Sequence, residues 1–218
     1  NYYDDNKIIK IPIDNTKTPA ENAQKYFDKY GKMKRTAEAL NELIIETKGQ
    51  IDHLESIQNS LDIALNADDL VQIKDELIEY GFIKKGKNAK KQKVKSKPFH
   101  YVSSDGFDMY VGKNNYQNDE LTFKLATGND WWFHAKGMPG SHVIVKAENK
   151  ELPDRTFEEA GKLAGYYSKG KNADKVEIDY LQKKNVKKPN GAAAGFVVYY
   201  TNYSLTIHPD ISDIRQIE

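Results

Sequence analysis

Between residues 23 and 65, apolar side chains return alternately every three and every four positions. One line runs through Ala23, Tyr30, Ala37, Ile44, Ile51, Gln58 and Leu65, the other through Tyr26, Met33, Leu40, Thr47, Leu54 and Leu61. This is the a/d spacing of a coiled coil sustained over several heptads. The helix has a defined start: Thr18 is placed to cap it, Pro19 suits the first helical position and Glu21 completes a capping box. Gly49 is a candidate bend. Asn66-Ala67-Asp68-Asp69 reads as a break and a new cap, after which Leu70, Ile73, Leu77 and Tyr80 share one face of a shorter helix ending near Gly81. Residues 19–81 are therefore expected to form a helical coiled-coil arm with its partner helix upstream; an ordinary helical hairpin is the alternative. Residues 1–18 read as the tail of a preceding element, with Ile8, Ile9, Ile11 and Ile13 suggesting one strand.

Beyond residue 98 the period shortens. Alternation over 99–103 and 107–112 around Ser104-Asp105-Gly106 predicts a hairpin. Residues 115–126 are expected to be helical, 131–135 and 141–146 to be strands separated by a Gly-Met-Pro-Gly turn. Phe157, Ala160, Leu163, Ala164 and Tyr167 mark a helix over 156–168. A strand follows at 176–180, then a last hairpin over 195–201 and 204–208. The expected fold class is α+β, a long helical arm followed by a compact mixed or antiparallel-sheet domain with flanking helices, the domain spanning 98–218.

Composition narrows the chemistry. The 218 residues include no cysteine, which removes disulfides, thiol nucleophiles and cysteine-ligated metals. No apolar run approaches membrane-spanning length. The chain begins Asn-Tyr-Tyr without a methionine, so a preceding stretch is expected. The net charge of +1 conceals an asymmetry. Residues 1–81 carry 10 basic and 16 acidic side chains, and residues 82–218 carry 23 and 16. Most of that basic excess lies in 84–97, KKGKNAKKQKVKSK, with eight lysines; residues 98–218 alone hold 15 basic and 16 acidic groups. Residues 82–97 read as a solvated linker able to attract a polyanion without selectivity.

Three segments stand apart from core patterning. Val111-Gly-Lys-Asn-Asn-Tyr-Gln-Asn-Asp119 concentrates amides that cap a helix or hydrogen-bond phosphates and base edges. Asp130-Trp-Trp-Phe-His-Ala-Lys136 places Trp131, Phe133 and Ala135 on one strand face and Trp132 with His134 on the other, near Lys136, a grouping suited to stacking bases and neutralising phosphate. Both tryptophans packing in a two-sided sheet is the structural alternative. Lys183-Lys184, Lys187-Lys188 and Gly191-Ala-Ala-Ala-Gly195 form a basic, glycine-containing loop without the P-loop spacing. His100, His134, His142, Asp130 and Ser141 are the catalytic candidates. They form no recognisable triad or elbow, and no enzymatic activity, cofactor or metal is expected.

The combination Ser103-Ser-Asp-Gly-Phe107, Gly112-Lys-Asn-Asn115, Gln117-Asn-Asp119, Asp130-x-Trp132-x-His134 and Pro139-Gly-Ser-His-Val143, with Tyr166-Tyr-Ser168 and Val186-Lys-Lys-Pro189, resembles the NFACT-R domain. That domain closes the bacterial RqcH family, also described as fibronectin- or fibrinogen-binding proteins of the FbpA and PavA type, with NEMF as eukaryotic relative. Pro19-Ala-Glu-Asn-Ala-Gln-Lys-Tyr-Phe27 is similar to the start of the family's second arm helix. The resemblance implies a cytoplasmic ribosome-associated quality-control factor that binds the obstructed large ribosomal subunit, its rRNA and tRNA, and supports alanine tailing of stalled chains while the ribosome makes the bonds. Motif position and side-chain chemistry, rather than any transferred family site, make Asn114, Asn115, Gln117, Trp132, His134, Lys136, His142, Lys183, Lys184, Lys187 and Lys188 the expected RNA contacts. Gly191-Ala-Ala-Ala-Gly195 departs from the family's Gly-Ala-Lys-Pro-Gly. The rival reading is a surface-exposed adhesin for fibronectin or fibrinogen, and a third is a domain that only scaffolds the arm.

Overall fold

The computed structural model describes residues 1–86 and 96–217. Most of the lysine-rich segment, residues 87–95, lies outside them. The chain divides into two compact units, Asn1–Gln50 and Ile51–Glu218. Helix α1 (Pro19–Ile63) starts in the first, and its turns from Ile51 onward belong to the second.

In the first unit the capping box closes as its sequence predicts. Glu21 N–H donates to Thr18 Oγ1 (3.3 Å) and Thr18 N–H donates to Glu21 Oε2 (2.7 Å). Asn22, buried, ties the preceding segment down: its amide accepts from Asp14 N–H and donates to the carbonyls of Asp14, Lys17 and Thr18. Residues 8–13 form no strand; they run irregularly with exposed isoleucines, and the Pro12 carbonyl accepts from Tyr26. Gly49 does not interrupt α1. The heptad residues Tyr30, Met33, Leu40 and Ile44 remain exposed along it.

The second unit opens with the end of α1 and helix α2 (Ala67–Glu79), capped by Asn66, whose side chain accepts from Asp69 N–H. It continues through β1 (Phe99–Val102), β2 (Asp108–Val111), α3 (Asn115–Glu120) with a wide turn over Leu121–Leu125, β3 (Trp131–Ala135), β4 (Val143–Val145), α4 (Asp154–Tyr166), β5 (Val176–Gln182), β6 (Tyr203–Ile207) and β7 (Arg215–Gln216). Among the described residues the strands form one antiparallel sheet of seven, ordered β6-β5-β3-β4-β2-β1-β7. The fold is α+β, as the switch of period predicts. The expected last hairpin is half right. Residues 204–207 lie in β6, which pairs with β5, whereas residues 195–201 run as a loop with a single bridge, Lys187 to Val198. The short β7 carries no sequence signal.

Strand alternation sorts side chains into two cores. Phe99, Tyr101, Met109, Val111, Phe133, Ala135, Val143, Val145, Val176 and Ile178 face α4, where Ala160, Leu163 and Ala164 meet them. Trp132, Ile144 and Leu181 face the opposite way, under Leu121 of the α3 turn and Val186 and Tyr199 of the loop.

Candidate nucleic-acid interface

The amide-rich segment after β2 is the N-terminus of α3. Asn114 is its cap and accepts from Gln117 N–H (3.0 Å). The amide N–H groups are taken by α1, α2 and Ser96. Asn114 Nδ2 donates to Gln72 (2.6 Å), Asn115 Nδ2 to Ser56 Oγ and to Glu76 Oε1 (both 2.8 Å), and Gln117 Nε2 to Gln72 (3.0 Å) and Ser96 (2.8 Å). All three residues are buried. This corrects the expectation that Asn114, Asn115 and Gln117 touch RNA: a buried amide must be satisfied inside the protein, and here it binds the helical base to the sheet. Glu76 is fully buried and also holds His53 Nε2 at 2.8 Å.

Trp132 and His142 are corrected for the same reason. Trp132 has no exposed surface. Its indole stacks on His134 at 5.6 Å and meets His142 edge-on at 5.0 Å, with Tyr199 at 5.3 Å. The His142 Nδ1 and Thr122 Oγ1 share a hydrogen bond of 2.8 Å, and the His142 backbone N–H donates to Asn118 (3.0 Å). Burial holds the His142 imidazole far below its ordinary pKa, and the neighbouring His134 lowers it further. Burial likewise lowers His134 to about 4, against hydrogen bonding to Gly140 and the field of Asp179. His134 keeps a partly exposed edge, but as a neutral ring it offers no charge to phosphate at neutral pH. Trp131, on the other face, meets Phe157 edge-on and Tyr180 at a tilt.

Asp130 does not orient an imidazole. Its carboxylate pairs with Lys146 and accepts from Thr127 and Ala147 N–H groups. Burial alone would raise its pKa; those hydrogen bonds outweigh it and keep the group below the usual value. Among the described residues no three metal-ligating side chains converge.

The lysines separate into two groups. Lys136 pairs with Glu177 at 2.5 Å, and Lys188 pairs with Asp119. Asp119 also accepts from Gly195 N–H (3.0 Å), which fixes the glycine loop. Gly195 sits at φ +76°, and a Cβ there would stand 2.5 Å from Asn115 Oδ1, so this position needs glycine on both counts. Lys183, Lys184 and Lys187 have no ion-pair partner among the described residues. Lys183 Nζ lies 5.6 Å from the Phe123 ring, and the Lys184 backbone N–H donates to the Gly128 carbonyl. Lys184 and Lys187 are exposed. Together they make an uncompensated positive patch beside an aromatic ring.

Sequence reasoning passed over the half-buried Asp119 and the buried Thr122, Asp179 and Glu76, which hold the loop, the histidines and the helical base. Only Asp119 stood inside a segment the motif pattern singled out. Tyr199 and Asn202 donate to Asp179 from chain 20 and 23 residues away, a link no spacing announces.

The model described as "NFACT N-terminal and middle domains" matches residues 1–96, and the "NFACT protein RNA binding domain" matches residues 97–200. The "Rqc2 homolog RqcH" of Streptococcus pneumoniae serotype 2 is 41% identical over 219 residues, covering all of this chain and 39% of that protein. The protein of the same name from Bacillus subtilis strain 168 is 37% identical over 222 residues, again covering the whole chain and 38% of the relative. The chain thus spans about two fifths of these curated relatives' length. A solved structure described as the C-terminal of the fibronectin/fibrinogen-binding protein from Streptococcus suis superposes with a TM-score of 0.81 at 40% identity, covering 92% of this chain and 81% of that one.

Proposed function

The chain belongs to the NFACT family, and on that premise we propose that it is part of a ribosome-associated quality-control factor whose sheet domain binds RNA. The observation that carries this reading is the patch of Lys183, Lys184 and Lys187, without ion-pair partners among the described residues, in a domain whose other predicted RNA contacts are buried, ion-paired or, at His134, half-buried and neutral. Phosphate-directed lysines give affinity without sequence preference, which suits a module that meets folded ribosomal RNA or tRNA. On this reading the partners are the large ribosomal subunit, its rRNA and tRNA, and the setting is the cytoplasm. The chain supports alanine tailing of stalled products by binding and placement, with bond formation left to the ribosome and no catalytic group of its own. The exposed heptad residues of α1 take a second helix of the full-length protein.

The test replaces Lys183, Lys184 and Lys187 together by alanine and measures binding to purified large subunits and to tRNA across a salt series. The expected result is weaker binding and a log–log salt slope shallower by about two to three. An unchanged slope would overturn the patch as the contact. Retention on immobilised fibronectin but not on large subunits, at the same salt, would replace the reading with the adhesin one.

A further inference from the structure

An open groove of about 340 Å³ lies on the second face of the sheet, between β2 and α3. That is the low end of the small-molecule range, roughly 300–1,000 Å³. Leu121 and Gln117 are buried and form its floor, Pro98 and Tyr110 flank it, and Glu120, Lys124 and Leu125 stand exposed at its rim. The Gln117 amide is committed to Gln72 and Ser96, so the floor presents mainly hydrocarbon. Tyr110 is different. Its ring stacks on His100 at 4.6 Å and 12°, while its hydroxyl has no hydrogen-bond partner among the described residues. Burial, and then the nearby Asp108, raise its pKa, so the phenol stays a donor. A flat apolar slot with one aromatic wall and one unspent O–H donor matches the shape and edge chemistry of a nucleobase.

Charge selects among flat apolar ligands. In sequence Pro98 directly follows the eight-lysine run of residues 84–97, and among the described residues Lys124 pairs only with Glu120, at 3.9 Å and with both side chains well exposed. A pair of that kind contributes little and is readily exchanged. An anionic backbone passing the groove would therefore meet Lys124 at the rim, with the lysine-rich segment adjoining Pro98 in sequence. We propose that this groove receives one unpaired base of a single-stranded RNA segment, stacked at Tyr110 and over Leu121, with Lys124 holding an adjacent phosphate. The inference rests on the RNA-binding reading above and extends it from phosphate contact to capture of an unpaired base.

The experiment uses the 218-residue chain and two probes, a fluorescent single-stranded RNA decamer and a fully paired RNA duplex of the same length. Leu125→Glu places a carboxylate at the exposed rim without touching the core. It is expected to weaken decamer binding about tenfold or more and to leave duplex binding within about twofold. Tyr110→Phe, which removes only the hydroxyl, is expected to cost a few-fold on the decamer alone. A decamer carrying 4-thiouridine should photo-crosslink within residues 110–125. Equal losses on decamer and duplex, or crosslinks confined to Lys183–Lys188, would overturn the groove while leaving the RNA reading in place. Failure of the unsubstituted chain to bind either probe would overturn both. Binding of the decamer unaffected by Leu125→Glu would overturn the groove as the site of the base.

Discussion

On the α4 side of the sheet, Phe133, Val143, Val145, Ile178 and Leu163 exclude water with almost no polar atoms among them. One residue away along each strand, the opposite side buries Trp132 beside two histidines, and the adjoining α3 end buries Asn114, Asn115, Gln117 and Glu76. Both sides are dry. The first gains by removing hydrocarbon from water, which is indifferent to pH and to the exact partner. The second depends on each polar group finding its one acceptor or donor, because a buried group without a partner costs more than the bond returns. The difference explains why a face that looks RNA-directed by composition is an internal joint: its amides and imidazoles are spent on α1, α2 and the 186–199 loop.

The largest test of this contrast is Phe133→Ala. Phe133 is fully buried in the apolar core, and its loss should destabilise the chain by about 3–5 kcal/mol in urea unfolding. The cost should be the same at pH 7 and pH 5, since Tyr180, stacked on Phe133, is held above its ordinary pKa by burial and stays neutral at both. A strongly pH-dependent cost would mean that the two faces are coupled.

The second test uses pH itself. His134 and His142 both sit below the ordinary 6.5, His134 at about 4. Above pH 6.5 folded and unfolded chains are alike neutral at these rings, and the full stability is present. As pH falls through 6.5 the unfolded chain takes up protons that the fold refuses. Stability is then lost until about pH 4, where His134 protonates in place. Each histidine contributes a slope of about 1.4 kcal/mol per pH unit in that window. Asp69 and Asp130, held below 3.8, lose their contribution only at lower pH and do not blur it. His134→Gln should remove one histidine's share of the slope; an unchanged slope would show that this ring does not stay neutral in the fold.

The contrast also marks how far the sequence could be read. The α4 face was legible, because alternation at Trp131, Phe133 and Ala135 and the 3.6 period of Ala160, Leu163 and Ala164 are local signals of apolar burial. The capping box at Thr18 and Glu21 was legible for the same reason. Polar burial has no such period. Whether Asn115 meets solvent or Glu76 depends on a helix 39 residues earlier, and whether Trp132 is a platform or a core residue depends on a loop that ends at Tyr199. Of the candidate RNA contacts, Lys184 and Lys187 kept their exposure because charge, unlike an amide, is too costly to bury unpaired.

The smallest expected effect is the sharpest. Trp132 is enclosed by His134, His142 and Tyr199, yet its indole N–H is buried without a hydrogen-bond partner among the described residues. Trp132→Phe loses part of a buried ring and leaves a small cavity, which destabilises. It also removes an unpaired donor whose burial costs roughly 1–3 kcal/mol, which stabilises. The two effects oppose, so urea unfolding should place the variant within about 1 kcal/mol of the parent, far from the cost of Phe133→Ala. A loss of 3 kcal/mol or more would mean the indole N–H is satisfied, for instance by an ordered water between the two histidines. The polar face would then be as completely satisfied as the apolar face is packed, and the distinction between them would lie only in their response to pH.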